Sequence, residues 1–243
     1  MSRRLTLVGI GLGRPEHLTL EAVEALRSAS LALVTVKRAG DPLAEVRRRL
    51  VGHHAPDLRV VEVADPERDR TPSDYEAAVA DWHEARAVAW ERALAEHDGD
   101  AVVLVWGDPG FYDSTIRVVE RVLARGTVSF DWSVLPGISA LQLLAARHRV
   151  VLHDVGQPVH VTTERRLREA VEQGQRNVAV FLTSGTDLAG LEDWRVWWGA
   201  NLGSPSERLV AGRVGDVADT IAAARLEAKA EAGWVMDLFL LRR

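Results

Sequence analysis

The chain has 243 residues, a formal charge of −5, 47 % hydrophobic and 27 % charged side chains, and no cysteine. This excludes disulfide scaffolds, thiolate nucleophiles, iron–sulfur clusters and cysteine-ligated zinc. It also argues against wholesale disorder and against a generally basic nucleic-acid binder.

The length suits one large domain or two small ones. Leu5 to Val8 reads as a short buried strand running into the turn Gly9-Ile10-Gly11-Leu12-Gly13, and a helix capped by Thr19 follows. The start, Ser2-Arg3-Arg4 and then a short apolar run, imitates a signal peptide, but the glycines and Arg14-Pro15 favour a strand and turn. No run approaches the ~20 apolar residues of a membrane helix, so a soluble cytoplasmic protein is expected. Leu31–Val36 and Leu58–Val63 read as strands, and Asp74–Glu96 as a long helix capped by Ser73 or Asp74. Ala101–Trp106 is the strongest strand signal and stops at Gly107-Asp108-Pro109-Gly110. A helix over Ser114–Arg125, a strand over Val128–Leu135 halted by Pro136-Gly137, and a helix over Ser139–Arg147 complete a βα rhythm that implies a mainly parallel sheet.

After His153 the rhythm changes. Val159–Thr162, Val178–Thr183, Val196–Leu202, Arg208–Val210 and Trp234–Leu241 read as five strands, with helices over Arg166–Gln173 and Val217–Glu231. A boundary near Gly156-Gln157-Pro158 divides the chain into domains 1–155 and 156–243. The eight tryptophans are read as core packing.

Open α/β sheets bind ligands beyond the carboxyl ends of their strands, and three such ends are unusual here. The turn Gly9 to Gly13 admits close backbone approach. As a dinucleotide fingerprint it fails, because Arg14 and Glu16 stand where the third glycine belongs and Lys37 stands where a ribose-binding acid belongs; a plain structural turn remains the alternative. The loop Trp106 to Ser114 places Asp108 at a strand end, either to meet a ligand or to stabilise its own turn. Pro136-Gly137-Ile138-Ser139-Ala140 enters a helix through small residues; Ser139 is a helix cap rather than a nucleophile, since Leu141 breaks the nucleophile-elbow pattern. Neither His53-His54 nor His148 with His153 has metal-ligand spacing, and no metal is expected. Arg147, Arg149, Arg165 and Arg166 flank the expected boundary, as a solvated face or as counter-charges for an anionic substrate.

Taken together and in order, Gly9 to Thr19, Gly107-Asp108-Pro109 and Pro136-Gly137-Ile138-Ser139 resemble the tetrapyrrole methylase family of S-adenosylmethionine (SAM) methyltransferases. Asp81-Trp82-His83-Glu84-Ala85-Arg86, Tyr112-Asp113-Ser114-Thr115, Ala146-Arg147-His148-Arg149, Trp198-Gly199-Ala200 and Gly233-Trp234-Val235-Met236-Asp237 resemble one branch of it. The resemblance implies two α/β domains of the class III methyltransferase fold, with a cofactor cleft between them. It implies methylation of C-1 of precorrin-5 with release of acetate, SAM converted to S-adenosylhomocysteine, a homodimer, and neither nucleic acid nor membrane as partner. Carried over by position, the cofactor residues are Leu12, Trp106, Gly107, Asp108, Phe111, Ser139, Ala140, Leu182, Ala200 and Gly212. Arg147, Arg149, Arg165 and Arg166 would hold the substrate's carboxylate arms, and Tyr112, Asp113 and His148 have the chemistry that acetate release asks for. The chain departs from the family's pattern at Arg14, where an Asp is usual, over Thr35–Pro42, at Glu164, where a Gly is expected, and at Thr183-Ser184-Gly185, where the branch carries an acid. A sibling methyltransferase, a non-catalytic ligand-binding protein on the same fold and a dehydrogenase remain alternatives.

Overall fold

A computed structural model describes residues 3–67, 74–185 and 187–243. The chain divides into two compact units, Met1–Ile138 and Ser139–Arg243. The first holds β1 (Arg4–Gly9), α1 (Leu20–Ser28), β2 (Leu31–Val36), α2 (Pro42–His54), β3 (Arg59–Ala64), α3 (Tyr75–Glu96), β4 (Ala101–Val105), α4 (Thr115–Arg125) and β5 (Asp131–Leu135). The second holds α5 (Ala140–His148), β6 (His160–Thr163), α6 (Glu164–Glu172), β7 (Asn177–Phe181), β8 (Arg195–Ala200), β9 (Arg208–Arg213), α7 (Val214–Ala232) and β10 (Asp237–Arg242).

The first sheet has the order β3-β2-β4-β1-β5 and every pairing in it is parallel. Its inner strands are near-continuous apolar runs because both faces are covered. On one face Leu5, Leu7, Leu33 and Val103 pack against Ala87, Trp90 and Leu94 of α3 and Val118 and Val122 of α4. On the other, Val8, Ala32, Val102 and Leu104 pack against Ala22 and Leu26 of α1 and Leu50 and Val51 of α2. The edge strands β3 and β5 are only partly buried. From their adjacent places β1 leads off in one direction and β4 in the other, which makes their carboxyl ends the topological switch point.

The second sheet has the order β6-β7-β10-β8-β9; only β6 and β7 run parallel. Its core gathers Val178, Val180, Val196, Trp198, Phe239 and Leu241 under Leu167 of α6 and Ile221 of α7. Trp90, Trp194, Trp197 and Trp198 are buried core tryptophans, whereas Trp82, Trp106, Trp132 and Trp234 are only half-buried. The division falls nearer the N-terminus than the expected boundary, because α5 packs on the second sheet: Leu144 lies where a Cβ on Gly199 would stand.

The sequence reading has no element between Lys37 and Asp57, where the structure has α2. A charged stretch through Arg47, Arg48 and Arg49 masks the apolar stripe of Ala44, Leu50 and Val51. The signal was the start: Asp41 accepts hydrogen bonds from Leu43 N (3.0 Å) and Ala44 N (3.5 Å), with Pro42 as the first helical residue. Thr19, Asp74 and Ser139 cap their helices as expected; Ser73, the other cap considered for α3, lies outside the described residues. Among the described residues no helix is long and apolar enough to cross a membrane.

Asp41 also accepts from Lys37 N (3.0 Å), tying the end of β2 to α2. Burial pushes its carboxyl up, but the three backbone N–H bonds outweigh it, and the pKa lies below the ordinary value. A depressed carboxyl stabilises the folded state above its unfolded pKa, and that contribution is lost as pH falls through the folded value. Asp41→Ala is therefore expected to lower stability by about 1 kcal/mol at pH 7. Urea unfolding of both proteins should show a constant difference above about pH 5 that shrinks below about pH 4.

Candidate active site

At the switch point the chain leaves β1 and β4 without separating. Ile10 N donates to Val105 O (2.9 Å), and Gly11 and Gly107 form an antiparallel bridge, Gly107 N to Gly11 O at 2.8 Å and Gly11 N to Gly107 O at 3.2 Å. Both glycines have positive φ, +59° and +69°, which lets parallel strands end in an antiparallel contact. The turn after β5 crosses the same spot. A Cβ on Gly9 would stand 2.5 Å from Gly137 N, and one on Gly137 would stand 2.8 Å from Gly9 Cα and overlap the carbonyl oxygen of Gly107. Only glycine permits three backbones to pass this closely.

Asp108 fastens the crossing. Its Oδ1 accepts from Gly110 N (2.8 Å), closing its own turn, and its Oδ2 accepts from Gly137 N (2.9 Å) on the neighbouring loop. The carboxylate is thus committed to backbone on two loops. Trp106 folds back over Gly13, where a Cβ would come within 2.9 Å of the indole. Leu12 is buried and its N–H donates to His17 Nδ1 (3.3 Å). Phe111 stacks edge-on against Tyr112, with ring centroids 5.6 Å apart. Nothing lies within 4 Å of the place a Cβ would take on Gly107, although the residue is buried and its N–H and carbonyl are both bonded to Gly11. Arg14, the departure in the first turn, pairs with Glu16 at 3.4 Å on the surface.

Tyr112 and Asp113 follow on the same loop. Tyr112 adopts φ +53° and is 46 % exposed. Desolvation pushes its phenol above the ordinary value, so at neutral pH it is an O–H donor and not a base. Asp113 Oδ1 accepts from Thr115 N (2.6 Å) and caps α4. The hydroxyl of Ser114, the formal cap residue, is taken instead by Arg86, whose guanidinium donates to it at 2.7 Å. Arg86 lies 2.9 Å from Asp65 at the end of β3, in a buried ion pair whose N–H and oxygen are not aligned for a hydrogen bond. It also stacks over Trp82, 4.7 Å from the ring centroid, and Trp82 Nε1 donates to Pro66 O (2.9 Å). Arg47 sends its Nε–H to Leu104 O (2.9 Å) at the end of β4; burial lowers its pKa, with Asp41 and Asp113 opposing. Arg47, Asp65 and Arg86 escaped sequence reasoning as site-supporting residues. The signal for Arg86 was its place one helical turn after Trp82.

In the second unit Ser139 spends its hydroxyl on a capping box: Ser139 Oγ accepts from Gln142 N (3.3 Å), and Gln142 Oε1 accepts from Ser139 N (2.8 Å). Ala140 is the first residue of α5. His148, in its last turn, holds Nε2 at 2.9 Å from Trp198 O. A carbonyl only accepts, so this bond assigns the proton to Nε2 and leaves Nδ1 as the nitrogen available for chemistry. Leu182 and Ala200 stand at the same end of the second sheet, on either side of β10. Gly212 does not join them: it pairs with Val196, four residues along β8 from Ala200, and its missing side chain makes room for Val217. Of the four arginines, Arg147 is bound to Glu207 (2.9 Å) and Arg166 faces Glu169 at 3.8 Å. Arg149 ends α5 in a left-handed conformation and Arg165 is exposed on α6.

A doubly wound parallel sheet with a glycine-built crossing at its switch point, followed by a mixed α/β unit, is the plan of a two-unit α/β enzyme. The sequence matches the family model of the tetrapyrrole (corrin/porphyrin) methylases over residues 4–218, and the chain belongs to that family. It is 42 % identical to a precorrin-6A synthase [deacetylating] from a Sinorhizobium species, across 99 % of this chain and 95 % of that one. A solved structure described as a cobalamin synthesis related protein (CobF) from Corynebacterium diphtheriae superposes with a TM-score of 0.86 at 34 % identity, covering 100 % and 99 % of the two chains. A Thermus thermophilus uroporphyrin-III C-methyltransferase in complex with S-adenosylhomocysteine shares the fold, with a TM-score of 0.61 at 20 % identity over 98 % and 92 % of the chains.

The crossing makes its own prediction. Gly137→Ala places a methyl group on neighbouring backbone and is expected to cost about 1–3 kcal/mol as overpacking. Gly107→Ala meets only the smaller penalty of its positive φ, about 1 kcal/mol. Urea denaturation of the two variants should rank them in that order.

Proposed function

We propose that this chain is the SAM-dependent C-methyltransferase that methylates C-1 of precorrin-5 and releases acetate, giving precorrin-6A in cobalamin biosynthesis. The observation that carries this reading is the full-length match to a precorrin-6A synthase together with the intact three-loop crossing. The donor supplies an electrophilic methyl group on a sulfonium. The chain's part is to hold donor and ring carbon in line and to keep water out, since charge disperses as the methyl transfers. The empty Cβ position of Gly107 fits a ligand that packs closely against main chain there. Leu12, Trp106 and Asp108 shape that wall from behind rather than by free side-chain groups. Ser139, Ala140, Leu182 and Ala200 are the second unit's assigned share.

The reaction balances with one water and the release of two protons: precorrin-5, SAM and water give precorrin-6A, S-adenosylhomocysteine, acetate and two protons. Water adds to the acetyl carbonyl and the ring accepts the electron pair of the broken carbon–carbon bond. Tyr112, held as a neutral phenol, is assigned as donor to the developing oxyanion. Asp113 and His148, through its Nδ1, are the candidates for activating water. Arg147, Arg149, Arg165 and Arg166 are assigned to the substrate's carboxylates, although Arg147 and Arg166 already face glutamates. A cytoplasmic homodimer belongs to the same proposal.

Incubation with precorrin-5 and methyl-labelled SAM is expected to place the label on C-1 with one acetate released per turnover. Label at another ring carbon would make the chain a sibling methyltransferase, and absence of transfer would overturn the reading. Tyr112→Phe is expected to slow acetate release about 100-fold while leaving affinity for S-adenosylhomocysteine within about twofold.

A further inference from the structure

Among the described residues four non-glycine residues have left-handed backbone: Tyr112, Arg149, Leu182 and Asn201. Arg149 terminates α5, and Asn201 spends its amide on buried bonds to Ser206, Trp234 O and Met236 N. Leu182, with φ +53°, has neither reason. A leucine there costs about 1–2 kcal/mol, and at 62 % exposure its side chain recovers none of this by burial. Such strain persists only where neighbouring groups impose it.

Two carboxylates from separate elements impose it. On one side Asp237, buried at the start of β10, accepts from Thr183 Oγ1 at 2.6 Å, and its own carbonyl oxygen lies 3.1 Å from the same hydroxyl. Trp198 Nε1 (3.0 Å) and Arg225 Nε (3.2 Å) fix the Asp237 carboxylate from behind. On the other side Glu164, first residue of α6, accepts from both the N–H and the hydroxyl of Ser184, the latter at 2.6 Å. The cap residue Thr163 makes no side-chain bond to α6, so the first-turn carboxylate serves the neighbouring turn. Leu182 is thus clamped through both following residues, at the sheet end shared with Ala200.

We propose that Glu164 and Asp237 are positioning residues that hold the turn after β7 so that Leu182 presents its apolar side chain to the methyl donor. This rests on the donor-binding reading above.

The test is calorimetric titration of the full chain with S-adenosylhomocysteine. Glu164 is half-buried on the first turn of α6, so Glu164→Ala and Glu164→Gln should fold, whereas Asp237→Asn serves as the second clamp variant. Glu164→Ala is expected to raise Kd about tenfold with an unchanged melting temperature, and Glu164→Gln, which can still bond Ser184, to raise it less. In a Leu182→Ala background the same substitution should have no further effect, because the clamp acts through that side chain. Wild-type affinity in Glu164→Ala, an equal loss in both backgrounds, or a loss that tracks a fall in melting temperature would overturn the positioning role. Failure of the wild-type chain to bind S-adenosylhomocysteine would overturn the donor reading itself, and the positioning role with it.

Discussion

Three backbones pass within van der Waals distance at the carboxyl edge of the first sheet, and the rest of the site follows from that crossing. Gly9, Gly107 and Gly137 belong to segments far apart in the chain, yet a side chain on Gly9 or Gly137 would collide with the backbone of another segment. With the space filled by main chain, the polar groups there must find partners within it, since a buried unpaired amide or carbonyl is costly. The Gly11–Gly107 bridge and the two bonds of Asp108 meet that demand.

The two units solve a similar problem with the same chemical device. In each, a carboxylate near a strand end reaches across to a neighbouring turn: Asp108 to Gly137 in the first, Asp237 to Thr183 in the second. A carboxylate has several acceptor positions and no donors, so one side chain can fasten two segments at once. The first unit adds buried cations. Arg86 links the end of β3 to Ser114, and the stack on Trp82 supports its planar face. The loop bearing Tyr112 and Asp113 is therefore anchored at one end by glycine packing and at the other by a guanidinium.

Much of this was legible in the sequence, and for identifiable reasons. Leu5–Val8 and Ala101–Trp106 are strands covered on both faces, and such strands are written as unbroken apolar runs. Thr19, Asp74 and Ser139 announced helix starts through local chemistry. Helix α2 was not visible, because its exposed arginines outweigh a narrow apolar stripe. The placement of Gly212 depended on the register of β8 against β9, and pairing register is not a local property. The words Gly107-Asp108-Pro109 and Pro136-Gly137 marked two strand-end loops, but only the fold shows that they touch. For Arg86 the spacing from Trp82 pointed to the stack, but Asp65 and Ser114 reach it only in three dimensions.

The parallel sheet has a consequence for how the polypeptide is made. β1 sits between β4 and β5, so Leu5 waits for Ala101 and Trp132 before its hydrogen bonds can close. During synthesis the run Leu5-Thr6-Leu7-Val8 leaves the ribosome long before either neighbour exists, and parallel pairing at such separation is slow to form. β8 and β9, by contrast, pair antiparallel across a short connection soon after emerging. The nascent chain therefore carries an apolar run unpaired until the segments around Ala101 and Trp132 have been made.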